Sequence, residues 1–318
     1  MIAVHIERGR LSLRRRPRPH GPPGFALLRV LAAGICNTDL ELRRGYYGFR
    51  GTPGHEFVAE VVEADTPALV GRRVVGEINL NCGRCEWCAR GLGRHCPRRK
   101  VLGIVGHPGA MAEFVTLPEA NLHTVPAAIP TEEAVFVEPL AAAGEILDQA
   151  RIPREATVAV LGDGKLGLLI AQVLAAHGSR VHLFGRHREK LRIAEAAGVQ
   201  AELAGARLPR AAYDRVVDAT GSAEGLRAAV AMARPRGTVF LKSTVHDAVK
   251  LDAAPVIVNE ITLVGSRCGR FPPALRLLAS GKVRVAGMIS ERLPLSRAPR
   301  AFRLAATRGA LKVLLEAG

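Results

Sequence analysis

The run TVAVLGDGKLGLLIAQVLAAH at residues 157–177 joins a β-branched, strand-forming segment to a glycine-rich turn and then to an apolar helix. Its glycines, Gly162, Gly164 and Gly167, have the spacing G-x-G-x-x-G. In that pattern the first glycine permits a tight turn, the second lets a pyrophosphate approach the backbone, and the third lets helix and strand pack closely. A helix opening at Lys165 and Leu166 aims its N-terminal N–H groups at such phosphates. A glycine-rich turn can be purely structural, but a strand before it and a helix after it are the context a dinucleotide site requires. Further apolar segments at 180–184, 199–202, 215–218, 237–241 and 261–264 follow, with helical stretches such as 165–177 and 188–197 between the earlier ones. Strand–helix alternation of this kind predicts a parallel, doubly wound sheet of the Rossmann type, and so an α/β fold.

Upstream the texture differs. Short β-type runs at 26–31, 56–62, 73–78 and 114–117 are broken by Gly and Pro, an all-β pattern. Beyond Phe271 the periodicity weakens into helices near 273–280 and 298–307 and an apolar run at 311–315, a tail too small to bury a core alone. At 318 residues the chain exceeds one ordinary core, so two domains are expected.

Hydrophobic residues make up 48% and charged residues 23%, which places the chain among globular proteins. The net charge of +16 points by itself to nucleic acid. The distribution points away from it, because lysine occupies only seven positions and the arginines are scattered over every segment. The densest run, with Arg14, Arg15, Arg16 and Arg18, carries no aromatic residue for base stacking and reads as a solvated strand end or turn. Neither a nucleic-acid nor a membrane partner is expected, since no segment reaches the ~18 uninterrupted apolar residues of a span. No signal-peptide-like run opens the sequence, so a cytoplasmic protein is expected.

Four of the six cysteines crowd into Cys82-x2-Cys85-x2-Cys88-x7-Cys96. Four thiolates close the shell of a zinc ion and leave no position for substrate, so a structural site is expected at 82–96. Its net charge of about −2 can be offset by Arg84, Arg90, Arg94, Arg98 and Arg99. Elsewhere, GICNTD at 34–39 and GHE at 54–56 offer Cys36, His55 and Glu56, a donor set suited to a catalytic zinc with an open fourth position.

The order GICNTD, GHE, the four-cysteine loop, VEPL at 137–140 and the glycine turn resembles the zinc-containing medium-chain dehydrogenases, especially their polyol and sorbitol branch. The resemblance covers nearly the whole chain. It implies a GroES-like β-rich catalytic domain at 1–138, a Rossmann domain at 139–270 and a C-terminal return to the catalytic domain at 271–318. It makes Cys36 and His55 catalytic zinc ligands, Thr38 the hydroxyl that relays the substrate proton, and Lys312 a basic residue reaching the pyrophosphate. Glu56 and Glu138 both match positions that serve as the third ligand in different members, and both stay open. Many relatives carry histidine where this chain has Glu41, which is either the end of the relay or bypassed by it. The implied activity is hydride transfer between an alcohol, whether polyol, sugar or simple, and NAD(P), with two zinc ions per chain, in a homodimer or homotetramer. The alternatives are a metal-free quinone or enoyl reductase of the same superfamily and a zinc-stabilised nucleic-acid-binding protein.

The cofactor choice turns on the end of the second dinucleotide-fold strand. An Asp or Glu about 20 residues past the glycine turn normally accepts bonds from the adenosine ribose. Here that place is Gly185, followed by Arg186, His187, Arg188 and Lys190, which predicts NADP(H) over NAD(H) through a 2′-phosphate held by Arg186.

Overall fold

The computed structural model describes residues 1–205, 207–243 and 249–317. It divides into two compact units, Met1–Glu138 with Met288–Gly318, and Pro139–Gly287.

The first unit opens with an antiparallel hairpin, β1 (Ile2–Glu7) and β2 (Arg10–Arg15). The sequence reading contains no strand here, because only β1 has a buried apolar set, Ala3, Val4 and Ile6. On β2 Arg14 pairs with Glu7 at 2.8 Å, and beyond the strand Arg18 pairs with Glu63 at 2.9 Å and lies over Phe114.

Next come β3 (Phe25–Gly34), α1 (Asn37–Arg43), β4 (Glu56–Glu63), β5 (Arg73–Gly76), β6 (Phe114–Pro118) and β7 (Leu122–Thr124). A seven-stranded sheet runs β7-β5-β4-β3, then Lys312–Glu316 and Ile289–Pro294, with β6 also paired to β3. Having β4, β6 and Lys312–Glu316 as neighbours puts β3 at the centre, which is why Ala26, Leu28 and Val30 are fully buried. Between β5 and β6 the chain makes a small lobe whose three short strands, Asn79–Leu80, Lys100–Leu102 and Gly106–His107, flank the cysteine loop.

The second unit is a six-stranded, all-parallel sheet of β8 (Thr157–Leu161), β9 (Arg180–Gly185), β10 (Gln200–Leu203), β11 (Tyr213–Asp218), β12 (Ala233–Leu241) and β13 (Thr262–Gly265). The order β10-β9-β8-β11-β12-β13 is the doubly wound order, with its switch point between β8 and β11. Helices α2 (Lys165–His177), α3 (Arg188–Glu195) and α4 (Ala223–Met232) provide crossovers. Val158, Val160, Leu183, Val216, Val217 and Val239 are buried because a parallel sheet is covered on both faces.

The second unit runs to Gly287, and the chain rejoins the first unit at Met288. Helix Phe271–Ala279 buries Phe271, Ala274, Leu275 and Leu278 within the second unit. The segment after it is held by Gln172 of α2, which donates to the Arg284 carbonyl at 3.1 Å and accepts from its N–H at 2.8 Å. Among the described residues no helix is long and apolar enough to cross a membrane.

Candidate functional site

In the first unit, the pairing of Gly34 with Glu56 across β3 and β4 sets the two strand ends side by side. Cys36 follows β3 as the N-cap of α1, and His55 immediately precedes β4. Ligand atoms of Cys36, His55 and Glu56 therefore lie within 4.8 Å of one another. Asp39, fully buried, holds this corner together. It accepts the Cys36 N–H at 2.8 Å in a capping box and the Gly54 N–H at 3.2 Å. Its Oδ1 also lies 3.6 Å from Nδ1 of His55, leaving Nε2 as the nitrogen with which the ring can serve as a ligand. Burial pushes the His55 pKa down, but the charges of Asp39 and Cys36 outweigh it and hold the ring well above its ordinary value. A thiol, an imidazole and a carboxylate converging on one buried corner are a donor set that a cation fits.

The other expected residues fall around this corner. Thr38 is half-buried on the first turn of α1, its hydroxyl oxygen 3.8 Å from the Cys36 sulfur. Glu41 has its carboxylate on Arg44 at 2.6 Å, so the proposed end of a relay is an ion pair on the helix. Glu138 stands in the first turn of helix Val137–Gln149, close enough for its charge to act on Lys312, while the grouping within 4.8 Å uses Glu56.

Lys312, which the resemblance assigns to a pyrophosphate, is buried here, 1% exposed, with Nζ on the Glu56 carboxylate. Pairing of the Lys312–Glu316 strand with the end of β3 delivers it there, and Gly34 makes room, since a Cβ would stand 2.8 Å from Glu56 and 3.1 Å from Lys312. Burial opposes the charge on Lys312, but Glu56, Cys36 and Glu138 raise its pKa above the ordinary lysine value.

In the lobe, Cys82, Cys85, Cys88 and Cys96 form a second grouping. The sulfurs are 3.4 Å (85–88), 3.6 Å (82–96), 3.7 Å (85–96) and 4.0 Å (82–88) apart. A tetrahedron with Zn–S bonds of ~2.3 Å has edges of about 3.8 Å, so the donor set fits zinc. Arg98 donates to Cys82 at 3.3 Å. The Arg84 backbone N–H lowers the Cys82 pKa against the opposing effect of burial, and Cys96, Cys85 and Arg98 add to it, bringing the thiol to about 6.

In the second unit each glycine of the turn has a distinct job. Gly162 has φ +107°, a conformation that favours glycine. A Cβ on Gly167 would sit 1.9 Å from the Gly162 carbonyl oxygen, so helix and turn touch backbone to backbone. Beside Gly164 a Cβ would meet nothing within 4 Å, and this residue caps α2 with no side-chain bond, so the N-terminus of α2 opens on a backbone with no side chain at its cap. At the end of β9, Arg186 is exposed and its guanidinium has no carboxylate partner among the described residues, Arg188 pairs with Glu195 at 3.2 Å, and Lys190 is buried on α3.

Two residues escaped the sequence reading. Asp39 lies inside the quoted GICNTD motif, where only its neighbours drew attention. Asp163, an unspecified position of the glycine turn, sends its carboxylate to Gly185: a Cβ at residue 185 would be 2.5 Å from the Asp163 Cβ. Gly185 is therefore not simply a missing acid.

Family models for the alcohol dehydrogenase GroES-like domain and for zinc-binding dehydrogenases match residues 22–127 and 166–280. The chain is 33% identical to the D-altritol 5-dehydrogenase of Agrobacterium fabrum over 92% of its own length and 91% of the relative's. A protein from Sinorhizobium meliloti 1021 solved bound to NADP superposes with a TM-score of 0.92 at 31% identity, covering 99% of each chain. An E. coli CFT073 alcohol dehydrogenase solved with NADH gives 0.92 at 25% identity, covering 100% of this chain and 99% of that one. Sheet order, glycine turn, ligand groupings and these matches agree, and the chain belongs to the zinc-type medium-chain alcohol and polyol dehydrogenases.

Proposed function

We propose that this dehydrogenase oxidises a polyol, or reduces the corresponding ketose, with NADP(H) preferred over NAD(H) and with two zinc ions per chain. The observation that carries the metal assignment is the buried grouping of Cys36, His55 and Glu56 with Asp39 behind the imidazole, an open three-donor set beside the closed four-thiolate set of the lobe. When bound, zinc supplies Lewis acidity to a hydroxyl or carbonyl oxygen, and the dinucleotide accepts or returns the hydride. Thr38, next to Cys36, is assigned to hydrogen-bond the substrate hydroxyl and pass its proton outward. Glu138 is assigned to the edge of the metal pocket. Gly162, Gly164 and Gly167 cradle the pyrophosphate, and Arg186 takes the 2′-phosphate. The polyol assignment is supported by the 33% identity to the altritol dehydrogenase.

The six cysteines are free of disulfides, which favours a reducing, cytoplasmic setting. A homo-oligomer is favoured by the edge strand β13 and the nearby helix Ala254–Val258, which expose Leu263, Ile257 and Val258.

Steady-state rates on a panel of hexitols, pentitols and simple alcohols with each cofactor, alongside zinc analysis of protein purified without chelator, test the reading. Two zincs per chain, turnover of a polyol and a kcat/KM for NADP⁺ at least about tenfold above that for NAD⁺ are expected. A chain holding one zinc or none, or a clear preference for NAD⁺, overturns the corresponding assignment.

A further inference from the structure

The carboxylate of Asp163 is 7% exposed and fully engaged at the end of β9. Its Oδ2 accepts the Arg186 N–H at 2.7 Å and the His187 N–H at 2.6 Å, and Nδ1 of the His187 ring lies 3.0 Å from Oδ2 and 3.1 Å from Oδ1. Burial works against its ionisation, but the His187 ring and the two N–H groups prevail and hold Asp163 below the usual aspartate value. The same side chain fills the space where residue 185 would carry one, since a Cβ there would stand 2.5 Å from the Asp163 Cβ and 2.6 Å from Oδ2. The acid that sheets of this type ordinarily mount on the strand end is replaced by one reaching over from the glycine turn.

The two placements differ in what they leave for a ligand. A strand-end carboxylate presents unshared lone pairs to the two ribose hydroxyls and repels a phosphate there. Asp163 instead spends its acceptors on two backbone N–H dipoles and an imidazole, which also offset its charge. Those bonds pin the 185–187 turn, on which Arg186 is exposed and has no carboxylate partner among the described residues.

We propose that Asp163 is the positioning residue for cofactor choice: by occupying the side-chain space of residue 185 and fixing the Arg186–His187 backbone, it presents a guanidinium rather than a carboxylate to the adenosine ribose. The inference rests on the NADP assignment above and adds to it the residue that enforces it. It also explains why position 185 is glycine, and it implies that Gly185→Asp alone cannot convert the enzyme, because the new side chain would collide with Asp163.

Calorimetric dissociation constants for NADP⁺ and NAD⁺, measured on zinc-loaded protein without substrate and accompanied by melting temperatures, test this independently of turnover. The ratio of the two constants in the wild type tests the NADP assignment alone. Asp163→Ala should lower that NADP⁺ preference about tenfold, the scale of one charged contact, with most of the loss in NADP⁺ affinity. Asp163→Asn keeps an acceptor oxygen at the same size and should show a smaller fall in the same direction. It carries the test if the alanine variant does not fold. Gly185→Asp alone should lose affinity for both cofactors and melt lower, whereas Gly185→Asp combined with Asp163→Gly should bind NAD⁺ better than NADP⁺. An unchanged ratio in both Asp163 variants, or a Gly185→Asp single variant that melts like wild type and binds NAD⁺ tightly, overturns the role of Asp163. If the wild type itself prefers NAD⁺, the NADP assignment fails, and a shifted or unshifted ratio in the Asp163 variants still decides whether Asp163 governs the choice.

Discussion

The two ligand groupings of the first unit are built on opposite principles. Cys82, Cys85, Cys88 and Cys96 come from one loop, are chemically alike, and sit in a lobe of three short strands. Cys36, His55 and Glu56 are chemically mixed, sit at the ends of two central strands, and are backed by Asp39 and Lys312, two fully buried charged residues. A local set of equal donors can close a shell by itself and serves as a staple. A set gathered from separate elements leaves an open position, and needs neighbouring charges to hold its geometry. On the proposed assignment the first shapes a loop and the second is where chemistry occurs.

The largest test of that contrast is to remove one ligand from each. His55→Ala should lower kcat on the order of 10³-fold or more while the melting temperature and NADP⁺ affinity stay close to wild type. Cys88→Ser should do the reverse, melting about 5 °C or more lower with turnover largely kept at low temperature. If both variants lost activity and stability together, the division of labour would be wrong. A chelator titration followed by metal analysis adds to this, since the mixed site should empty first.

Next in size is Thr38→Val, which should retain both metals yet lose about 10²-fold in rate, the usual scale for a positioned proton-transfer group. Wild-type turnover under conditions where chemistry limits the rate would remove Thr38 from the relay. The smallest effect is expected from Asp39→Asn. Replacing the carboxylate behind His55 should weaken zinc binding at the mixed site by roughly 10- to 100-fold, readable by competition with a chromophoric chelator, while the lobe keeps its ion. Equal weakening at both sites would show that Asp39 acts on the fold as a whole.

How much of this could be read from the sequence follows from how local each feature is. The cysteine loop and the Gly162–Gly164–Gly167 turn are visible because spacing within a few residues determines them. The central parallel strands, such as Thr157–Leu161, are visible because burial on both faces leaves continuous apolar runs. Hairpin β1–β2 is hidden because β2 buries almost nothing. Asp163 is hidden because its partners, two backbone N–H groups and the His187 ring, lie 23 and 24 residues away, and backbone groups leave no mark on a sequence. The pairing of Lys312 with Glu56 is hidden for a related reason: a lysine in an apolar strand does not announce which anions it meets, and this partner is 256 residues away.

That separation has a consequence for how the protein is made. The second unit lies wholly between the two stretches of the first, so its sequence is complete before Lys312–Glu316 has been synthesised. Domains fold largely as units during synthesis, at roughly 5–20 residues per second. Between the appearance of Glu56 and that of Lys312, a span of 256 residues, about 13–50 s pass. Throughout that interval the nascent first unit has an open edge on β3 where the last strand will pair, and an acidic, thiol-bearing corner without its lysine. Both the sheet edge and the charge balance of this corner are completed only when the Lys312–Glu316 strand pairs with β3.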